Sequence, residues 1–182
     1  MFDVLMIDPP WPKKKGGLRN TRPNQGRSLD YPTLSVPAIF ELLDNDIFSL
    51  AKPTHSVFLW TIDEFLHSGE QAMEARGYRR HARFIWDKTN GVAPAFSVRY
   101  SHEYLIWFYK PKFQSVADNM RGKVKTVFTE SAREHSRKPD TAYRIIESFW
   151  PNAERLDVFS RQARPGWVQW GDQQTYFRGA NQ

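Results

Sequence analysis

Val4-Leu5-Met6-Ile7-Asp8-Pro9-Pro10-Trp11 joins a run of apolar residues directly to an acid, two prolines and an aromatic residue. An unbroken apolar run is typical of an inner parallel strand, which is buried on both faces. In open α/β sheets, ligands bind beyond the carboxyl ends of the strands. We therefore expect Asp8 to leave the end of a buried strand and to face a cleft.

Further apolar runs and helix-like segments alternate along the rest of the chain. The runs predict strands at residues 56–60, 82–86, 104–109 and 156–159, all buried on both faces. Helical periodicity predicts helices over 35–50, with Ser35 as the cap, from a capping Asp63 to Gly77, and from Pro139 to Trp150. This alternation predicts an α/β protein with a mostly parallel sheet and one domain over residues 1–182.

The composition excludes several classes of protein. The chain of 182 residues has no cysteine, which excludes disulfides and thiolate metal sites, and its 5 histidines lack the spacing of metal ligands. No stretch approaches the roughly 20 apolar residues of a membrane span, and the first residues lack the basic region that is typical of a secretory signal. We expect a soluble, cytoplasmic protein without a metal, either a monomer or a homodimer.

Basic residues are concentrated in one segment. The net charge is +6, and residues 13–27 contain Lys13, Lys14, Lys15, Arg19, Arg22 and Arg27 without any acid. This surplus favours a polyanionic partner, and a solvated loop is the alternative. The polar segments 12–32, 89–101 and 111–135 follow predicted strands and are longer than ordinary connections. We expect these three segments to form the substrate surface.

The residue types of Asp8-Pro9-Pro10-Trp11 suit a binding edge. Proline has no N–H, so the backbone carbonyls of Asp8 and Pro9 are expected to meet few local donors and to face a ligand. The flat ring of Trp11 can stack on a base. The alternative is an ordinary turn after a strand, with Asp8 as its cap.

The chain resembles the MT-A70 family of adenine-N6 methyltransferases along nearly its whole length. The resemblance implies S-adenosylmethionine as cofactor and a Rossmann-like methyltransferase sheet in permuted order, with the catalytic half first. That cofactor has no pyrophosphate, which agrees with the absence of a Gly-x-Gly-x-x-Gly loop. The matching segments, in the order of the family, are Asp8-Pro9-Pro10-Trp11, Tyr31-Pro32-Thr33-Leu34, Phe58-Leu59-Trp60, Gly77-Tyr78 with Ile85-Trp86-Asp87-Lys88-Thr89-Asn90, His102-Glu103-Tyr104-Leu105, Ser136-Arg137-Lys138-Pro139-Asp140, Leu156-Asp157-Val158-Phe159-Ser160-Arg161 and Pro165-Gly166-Trp167.

The catalytic roles that the resemblance implies belong to the tetrapeptide Asp8, Pro9, Pro10 and Trp11. The exocyclic amine of adenine is a poor nucleophile because its lone pair is delocalised into the ring. Acceptors at its N–H groups localise that pair, and the Asp8 carboxylate and the Pro9 carbonyl are the expected acceptors. Pro10 adds rigidity, and Trp11 is expected to stack on the extruded base.

The resemblance also implies a set of cofactor residues by position. Lys138 is expected at the methionine carboxylate and Arg161 at the ribose. The alternatives are that Lys138 only flanks a helix and that Arg161 pairs with Asp157 or Glu154 on the surface. Further contacts to hydroxyls or to the adenine edge complete the expected set, which is Asp8, Lys138, Arg161, Asp172 and Gln173.

Two positions depart from the family pattern. Gln162-Ala163-Arg164 stand where relatives commonly place other polar residues that contact the cofactor, and Asp172 replaces a frequent Asn. The contacts of the first turn and the donor role of Asp172 are therefore not implied. His102 is assigned a structural role, and Trp60, Trp86 and Trp107 are assigned to the core.

The expected substrate is adenine in nucleic acid, with DNA preferred over RNA because no RNA-binding module is visible. RNA, N4 of cytosine, and a catalytically silent nucleic-acid-binding partner are the alternatives. Specificity is expected to come from the loops or from a partner. The expected substrate residues are Lys13, Lys14, Lys15, Arg19, Arg22, Arg27, Tyr31, Lys88 and Asn90.

Overall fold

The computed structural model describes residues 1–12, 33–90, 98–133, 137–174 and 176–177. The expected basic segment and Tyr31 lie outside these residues. In chain order, the elements are β1 (Phe2–Ile7), α1 (Val36–Leu42), a π-helical segment (Leu43–Ile47), a 3-10 segment (Phe48–Leu50), β2 (Ala51–Thr61), α2 (Asp63–Ala75), β3 (Arg79–Asp87), β4 (His102–Lys110), a 3-10 segment (Asp118–Met120), β5 (Val127–Thr129), α3 (Asp140–Phe149), β6 (Arg155–Val158) and β7 (Val168–Trp170).

The strands form one sheet in the order β5-β3-β4-β2-β1-β6-β7. β1 is parallel to β2 and β6, β3 is parallel to β5, and β6 is parallel to β7. β4 is antiparallel to both of its neighbours, β2 and β3. The predicted Rossmann-like, mostly parallel α/β sheet is confirmed. The strands other than β4 all end at the same edge of the sheet, which we call the carboxyl edge.

β4 corrects the prediction that every apolar run is an inner parallel strand. The chain reverses direction between β3 and β4, and the two strands pair up to the base of their connection: Asp87 pairs with His102, and the Lys88 N–H donates to the Ser101 carbonyl at 2.8 Å. Residues 82–86 were predicted to be buried on both faces, but the first half of β3 is exposed. The first residues of β4 therefore lie at the carboxyl edge.

The reversal of β4 also corrects the predicted position of segment 111–135. His55 near the start of β2 pairs with Lys110 at the end of β4. The segment that follows Lys110 therefore begins at the edge opposite the expected substrate surface. It returns to the carboxyl edge only through β5, which runs beside the last residues of β3.

Alternate residues of β1 enter two different cores. Leu5 and Ile7 pack with α1 and α2 on one face, while Val4 and Met6 pack with α3 on the other. All four side chains are fully buried. Burial on both faces is the property that the apolar run 4–7 predicted, and it places β1 inside the sheet with Asp8 at its end.

The helices begin and end largely as the sequence predicts. The Ser35 hydroxyl caps α1 by accepting the Ala38 N–H at 3.3 Å. The predicted helix 35–50 is present, but it changes to π and then to 3-10 geometry after Leu42. The predicted cap Asp63 is wrong: Ile62 holds the cap position, and Asp63 is the first helical residue. No helix in the described ranges has the length and apolar character needed to cross a bilayer.

Candidate active site

Charged side chains from four separate elements meet at the carboxyl edge. The ammonium of Lys138, just before α3, lies 3.0 Å from Asp8 Oδ1 and 3.0 Å from Glu103 Oε2. The ammonium of Lys88, just after β3, pairs with Glu103 Oε1. The resulting chain of alternating charges runs Lys88, Glu103, Lys138, Asp8. It joins the end of β1 to the start of β4.

The strand alternation explains why Asp8 and Glu103 share one face. Asp8 follows Met6 by two residues, and Glu103 precedes Leu105 by two. Both Met6 and Leu105 belong to the core on the α3 side of the sheet. Because α3 also packs on this side, Lys138 enters between the two carboxylates and lies 5.2 Å from the ring centroid of Trp60.

Glu103 was missed in the sequence analysis, which singled out only His102 at this position. The available signal was an acid in the same alternating register as Leu105 and Trp107, both buried. A buried acid requires a partner. His102 contacts Tyr104, whose hydroxyl lies 2.9 Å from its Nε2.

Burial and charge act in opposite directions on these groups. Burial alone raises the pKa of Glu103, but the ammonium groups of Lys138 and Lys88 outweigh it and lower that pKa to about 2. Burial opposes the charge of Lys138, yet the two carboxylates raise its pKa above the ordinary value. Burial raises the pKa of Asp8, with Lys138 opposing the rise. The site therefore favours the charged forms of Glu103 and Lys138 before any ligand enters.

Glu130 fixes the start of α3 and, with it, Lys138. Its two carboxylate oxygens accept the backbone N–H groups of Asp140 and Thr141, both at 2.9 Å. Its own carbonyl accepts the Trp86 indole N–H at 2.8 Å, which ties it to β3. The cap of this helix therefore comes from a residue outside the local sequence, and the sequence analysis did not find it.

A narrow, partly open recess lies beside Asp8 and Lys138. The residue after β6, Phe159, has a φ of 60° and turns the chain so that Ser160 and Arg161 enter the lining. The lining consists of Asp8, Arg137, Lys138, Tyr143, Asp157, Phe159, Ser160, Arg161, Gln162, Arg164 and Phe177.

Asp157 is a buried acid in this lining. The Tyr143 hydroxyl donates to its Oδ2 at 3.0 Å. Burial raises the pKa of Asp157 to about 7, although the hydrogen bonds from Tyr143 and Ser160 act in the opposite direction. Asp157 is therefore poised between its neutral and charged forms at neutral pH.

Arg161 and Gln162 show that the recess is built for polar groups. The guanidinium carbon of Arg161 lies 3.8 Å from the ring centroid of Tyr176. Gln162 Oε1 is buried beside the recess without a hydrogen-bond partner in the described part of the chain. An orphaned buried acceptor requires a donor from a ligand or from water. Gln162 and Arg164, in the turn that departs from the family pattern, thus line the recess.

The backbone of the tetrapeptide corrects one expectation. The Pro9 carbonyl was expected to have few local donors, but it accepts the Trp11 N–H at 2.8 Å. The Pro10 carbonyl accepts the Leu34 N–H at 3.0 Å. A carbonyl has two lone pairs, so Pro9 keeps capacity for a second donor. Of the two expected acceptors, the Asp8 carboxylate is stronger than the Pro9 carbonyl.

Trp11 packs partly against the protein. Its ring stacks on Phe65 of α2 at a centroid distance of 5.4 Å and an interplanar angle of 7°. Its indole N–H donates to the Trp60 carbonyl at 2.9 Å. Phe65 therefore covers one face of the Trp11 ring. Stacking of Trp11 on a base stays a prediction, and only the other face of the ring could take part in it.

The remaining predicted residues do not all meet at the recess. Asp172 is exposed and, like Gln173, lies in the turn after β7 outside the recess lining. Asn90 is exposed and donates to the Ala132 carbonyl at 3.2 Å. Lys88 reaches the charge chain through Glu103. Among the described residues, Asp8, Lys138 and Arg161 are the predicted cofactor residues that the fold brings together.

Comparison with known proteins identifies relatives of the whole sheet. The MT-A70 family model matches residues 2–173. The chain is 27% identical over 178 residues to an N(6)-adenosine-methyltransferase MT-A70-like protein of Arabidopsis thaliana, covering 94% of this chain and 24% of that protein. It is 26% identical to the human N(6)-adenosine-methyltransferase catalytic subunit METTL3, covering 94% of this chain and 28% of METTL3. It is 23% identical to the Type II methyltransferase M.MunI of a Mycoplasma species, covering 93% of this chain and 76% of that protein.

Proposed function

Because the chain belongs to the MT-A70 family, we propose that it is a methyltransferase that uses S-adenosylmethionine to methylate the N6 amine of adenine in nucleic acid. The observation that supports this proposal best is the position of Asp8. Its carboxylate leaves the carboxyl end of a buried strand, lies within the residues that the family model matches and borders a recess that also contains Lys138 and Arg161. The chain spans about a quarter of the plant and human relatives, at 24% and 28%.

The recess residues fit this cofactor chemically. Its amino-acid end has a carboxylate and an ammonium group, and the recess offers the cation of Lys138 and the anion of Asp8. Lys138 has three N–H donors, and in the described chain Asp8 and Glu103 occupy two of them. The orphaned Gln162 Oε1 suits a hydroxyl donor. When bound, S-adenosylmethionine supplies a methyl group that is activated by the sulfonium.

Asp8 is proposed to activate the amine by accepting its N–H. The acceptor concentrates the nitrogen lone pair on the nitrogen and stabilises the positive charge that develops there. A strong base is not needed, because a cationic nitrogen loses its proton readily. Lys138 fixes the carboxylate through the 3.0 Å contact to Oδ1, which leaves Oδ2 for the amine. The Pro9 carbonyl is proposed as the second acceptor, through its remaining lone pair.

The site and the relatives weigh between the proposed enzyme and a silent binding partner, and between DNA and RNA. A catalytically silent binding partner has no need of the Asp8, Lys138 and Glu103 constellation, which is complete here. We also propose DNA as the first polymer to test, because the chain corresponds to 76% of the length of the relative named a type II methyltransferase. The relatives named for adenosine keep RNA as the alternative polymer.

The proposal can be tested by mass spectrometry of nucleosides. The protein is incubated with methyl-labelled cofactor and with single- and double-stranded DNA and RNA, and the products are digested and analysed. We expect labelled N6-methyladenine from one polymer with the wild type and none with Asp8→Ala. Label at N4 of cytosine would correct the base. Equal label from the wild type and Asp8→Ala would remove Asp8 from catalysis, and no label with any polymer would refute the enzymatic proposal.

A further inference from the structure

The outer edge of β3 is only partly covered. β5 pairs with Ile85, Trp86 and Asp87, at the end of β3. Within the described residues, no strand pairs with residues 79–84 on that side. This stretch presents the exposed side chains of Arg79, Arg80 and Arg83. The uncovered part of the strand is therefore strongly basic.

Three exposed lysines lie in the segment that joins β4 to β5, beside the same edge of the sheet. Lys125 lies two residues before Val127, which pairs with Ile85 near the end of β3. Lys112 is next to Phe113, whose ring lies 4.4 Å from that of His81. Lys123 precedes Lys125 by two residues. We call this surface the basic edge, and its members are Arg79, Arg80, Arg83, Lys112, Lys123 and Lys125.

The acids near the basic edge do not neutralise it. Glu70 of α2 makes a two-pronged contact with Arg83, at 2.6 Å to each oxygen, and lies 3.5 Å from Arg80. In the described part of the chain, no ion pair or hydrogen bond is recorded for the side chains of Arg79 or Lys125. Glu74 of α2 also lies close enough to act on the charge of Arg83. These two carboxylates stand against six cations, so the surplus is positive.

The basic edge points toward the active site. β3 runs from Arg79 to Asp87, and the next residue, Lys88, pairs with Glu103 in the charge chain. The 9 residues of β3 extend over about 30 Å, a length that corresponds to about nine base pairs along the axis of a DNA duplex. A polyanion lying along the strand would reach the carboxyl edge at Lys88. Charges that only prevent strand pairing need no such alignment.

We propose that the basic edge binds the phosphate backbone of the nucleic acid substrate, on the arm that flanks the target base. This inference rests on the proposed function and adds a surface distinct from segment 13–27. The ring of Phe113, with 41% of the residue accessible, follows Lys112 and packs against His81, and it suits contact with a sugar or an unpaired base. An acidic protein segment is the competing occupant, and the experiment separates the two.

The test compares two variants with the same change in net charge. Arg79→Gln with Lys125→Gln neutralises two members of the basic edge. Lys52→Gln with Arg144→Gln neutralises two cations elsewhere: Lys52 is partly exposed and pairs with Asp3 of β1, and Arg144 projects from α3 with 67% of its side chain exposed. Circular dichroism and thermal melting confirm that each variant is folded. Binding of a fluorescent DNA duplex is then measured by anisotropy between about 50 and 200 mM salt.

We expect the edge variant to bind several-fold more weakly at low salt, with a slope of log affinity against log salt that is less steep by about 2. The control variant should keep the wild-type slope. Equal slopes for the edge and control variants would overturn the proposal. Polyglutamate and a second, unlabelled duplex are also compared as competitors at equal charge concentration. Displacement of the labelled duplex by polyglutamate but not by the second duplex would overturn the proposal in favour of an acidic protein partner.

A second measurement separates this proposal from the proposed function. Methylation of a long duplex should slow in the edge variant at subsaturating substrate, while methylation of a duplex too short to reach Arg79 should not change. One outcome is that the wild type shows no methylation while the edge variant, and not the control variant, loses duplex binding. This outcome would confirm the basic edge and refute the enzymatic proposal. If methylation occurs and both substrates respond equally to the edge variant, the basic edge is refuted.

Discussion

The ammonium of Lys138 lies 3.0 Å from Oε2 of Glu103, which joins the segment before α3 to the first residues of β4. Both side chains are mostly enclosed, with 12% and 15% exposed. A buried charge without its partner is strongly destabilising. The pair therefore couples the stability of the sheet to the geometry of the candidate site.

Replacement of Glu103 by Gln should destabilise the protein by about 3 kcal/mol at neutral pH, because it leaves Lys138 and Lys88 without their shared anion. Methyl transfer should also fall, since Lys138 then moves closer to Asp8 and weakens it as an acceptor. Urea unfolding and initial rates measure the two effects. Glu41→Gln, at an exposed glutamate of α1, is the control and should change neither.

The contribution of Glu103 should also depend on pH. Its folded pKa of about 2 lies below the ordinary value of 4.5, so its stabilisation is complete above pH 4.5 and is lost as the pH falls toward 2. The difference in unfolding free energy between the wild type and Glu103→Gln should therefore shrink from pH 6 to pH 3. A constant difference over that range would contradict the assigned charge.

Asp8→Ala should reduce methyl transfer by about a hundredfold or more, because it removes the main acceptor for the amine. Affinity for a nucleic acid duplex should change little, since the cations that we propose to contact phosphates are retained. Single-turnover rates and anisotropy give the two quantities. Loss of duplex binding in parallel with the rate would show that Asp8 acts through the fold and not through the chemistry.

Asp157→Asn should stabilise the protein at high pH relative to the wild type. The folded pKa of Asp157 is about 7, above the ordinary value of 3.8, so its ionisation costs stability that grows between pH 4 and pH 7. The cost approaches about 4 kcal/mol above pH 7. The advantage of the variant in urea unfolding should therefore be larger at pH 8 than at pH 4. Asp46→Asn, at an exposed aspartate, serves as the control.

Glu130→Gln should weaken cofactor binding because it loosens the start of α3, where Lys138 is held. The loss of a helix cap costs about 1 kcal/mol of stability. Ser35→Ala removes the cap of α1 at a similar cost, but far from Lys138 in the sequence. Calorimetric titration with S-adenosylmethionine should show weaker binding for Glu130→Gln only. Equal weakening in both variants would assign the effect to general loss of stability.

A helix or strand could be predicted from the sequence where its own residues carry the pattern of apolar and capping residues. The apolar run 4–7 indicated a strand buried on both faces, and Ser35 indicated the start of α1. β5 and β7 have 3 residues each, and Val127 and Val168 are about half exposed, so neither strand has a periodic signal. These strands form because a neighbouring strand offers backbone partners.

The site could be predicted only in part for the same reason. Asp8 follows from its place after β1, and Lys138 follows from its segment. Glu103 required the direction of β4, which is set by pairing with β2 and β3 and not by its own residues. Glu130 required the contact between the end of β5 and α3. Tertiary pairing, which one sequence does not display, decides these positions.

The pairing between the end of β3 and the start of β4 separates the sheet from the segment that connects these two strands. The register is fixed by the Asp87 and His102 pair and by the hydrogen bond from Lys88 to Ser101. Because these anchors lie at the base of the connection, we expect exchanges beyond Thr89 and Asn90, which bond to Ser131 and Ala132, to leave both strands and the charge chain in place. A chimera that takes this connection from a relative should therefore stay folded, and a changed substrate preference in it would assign substrate choice to the connection.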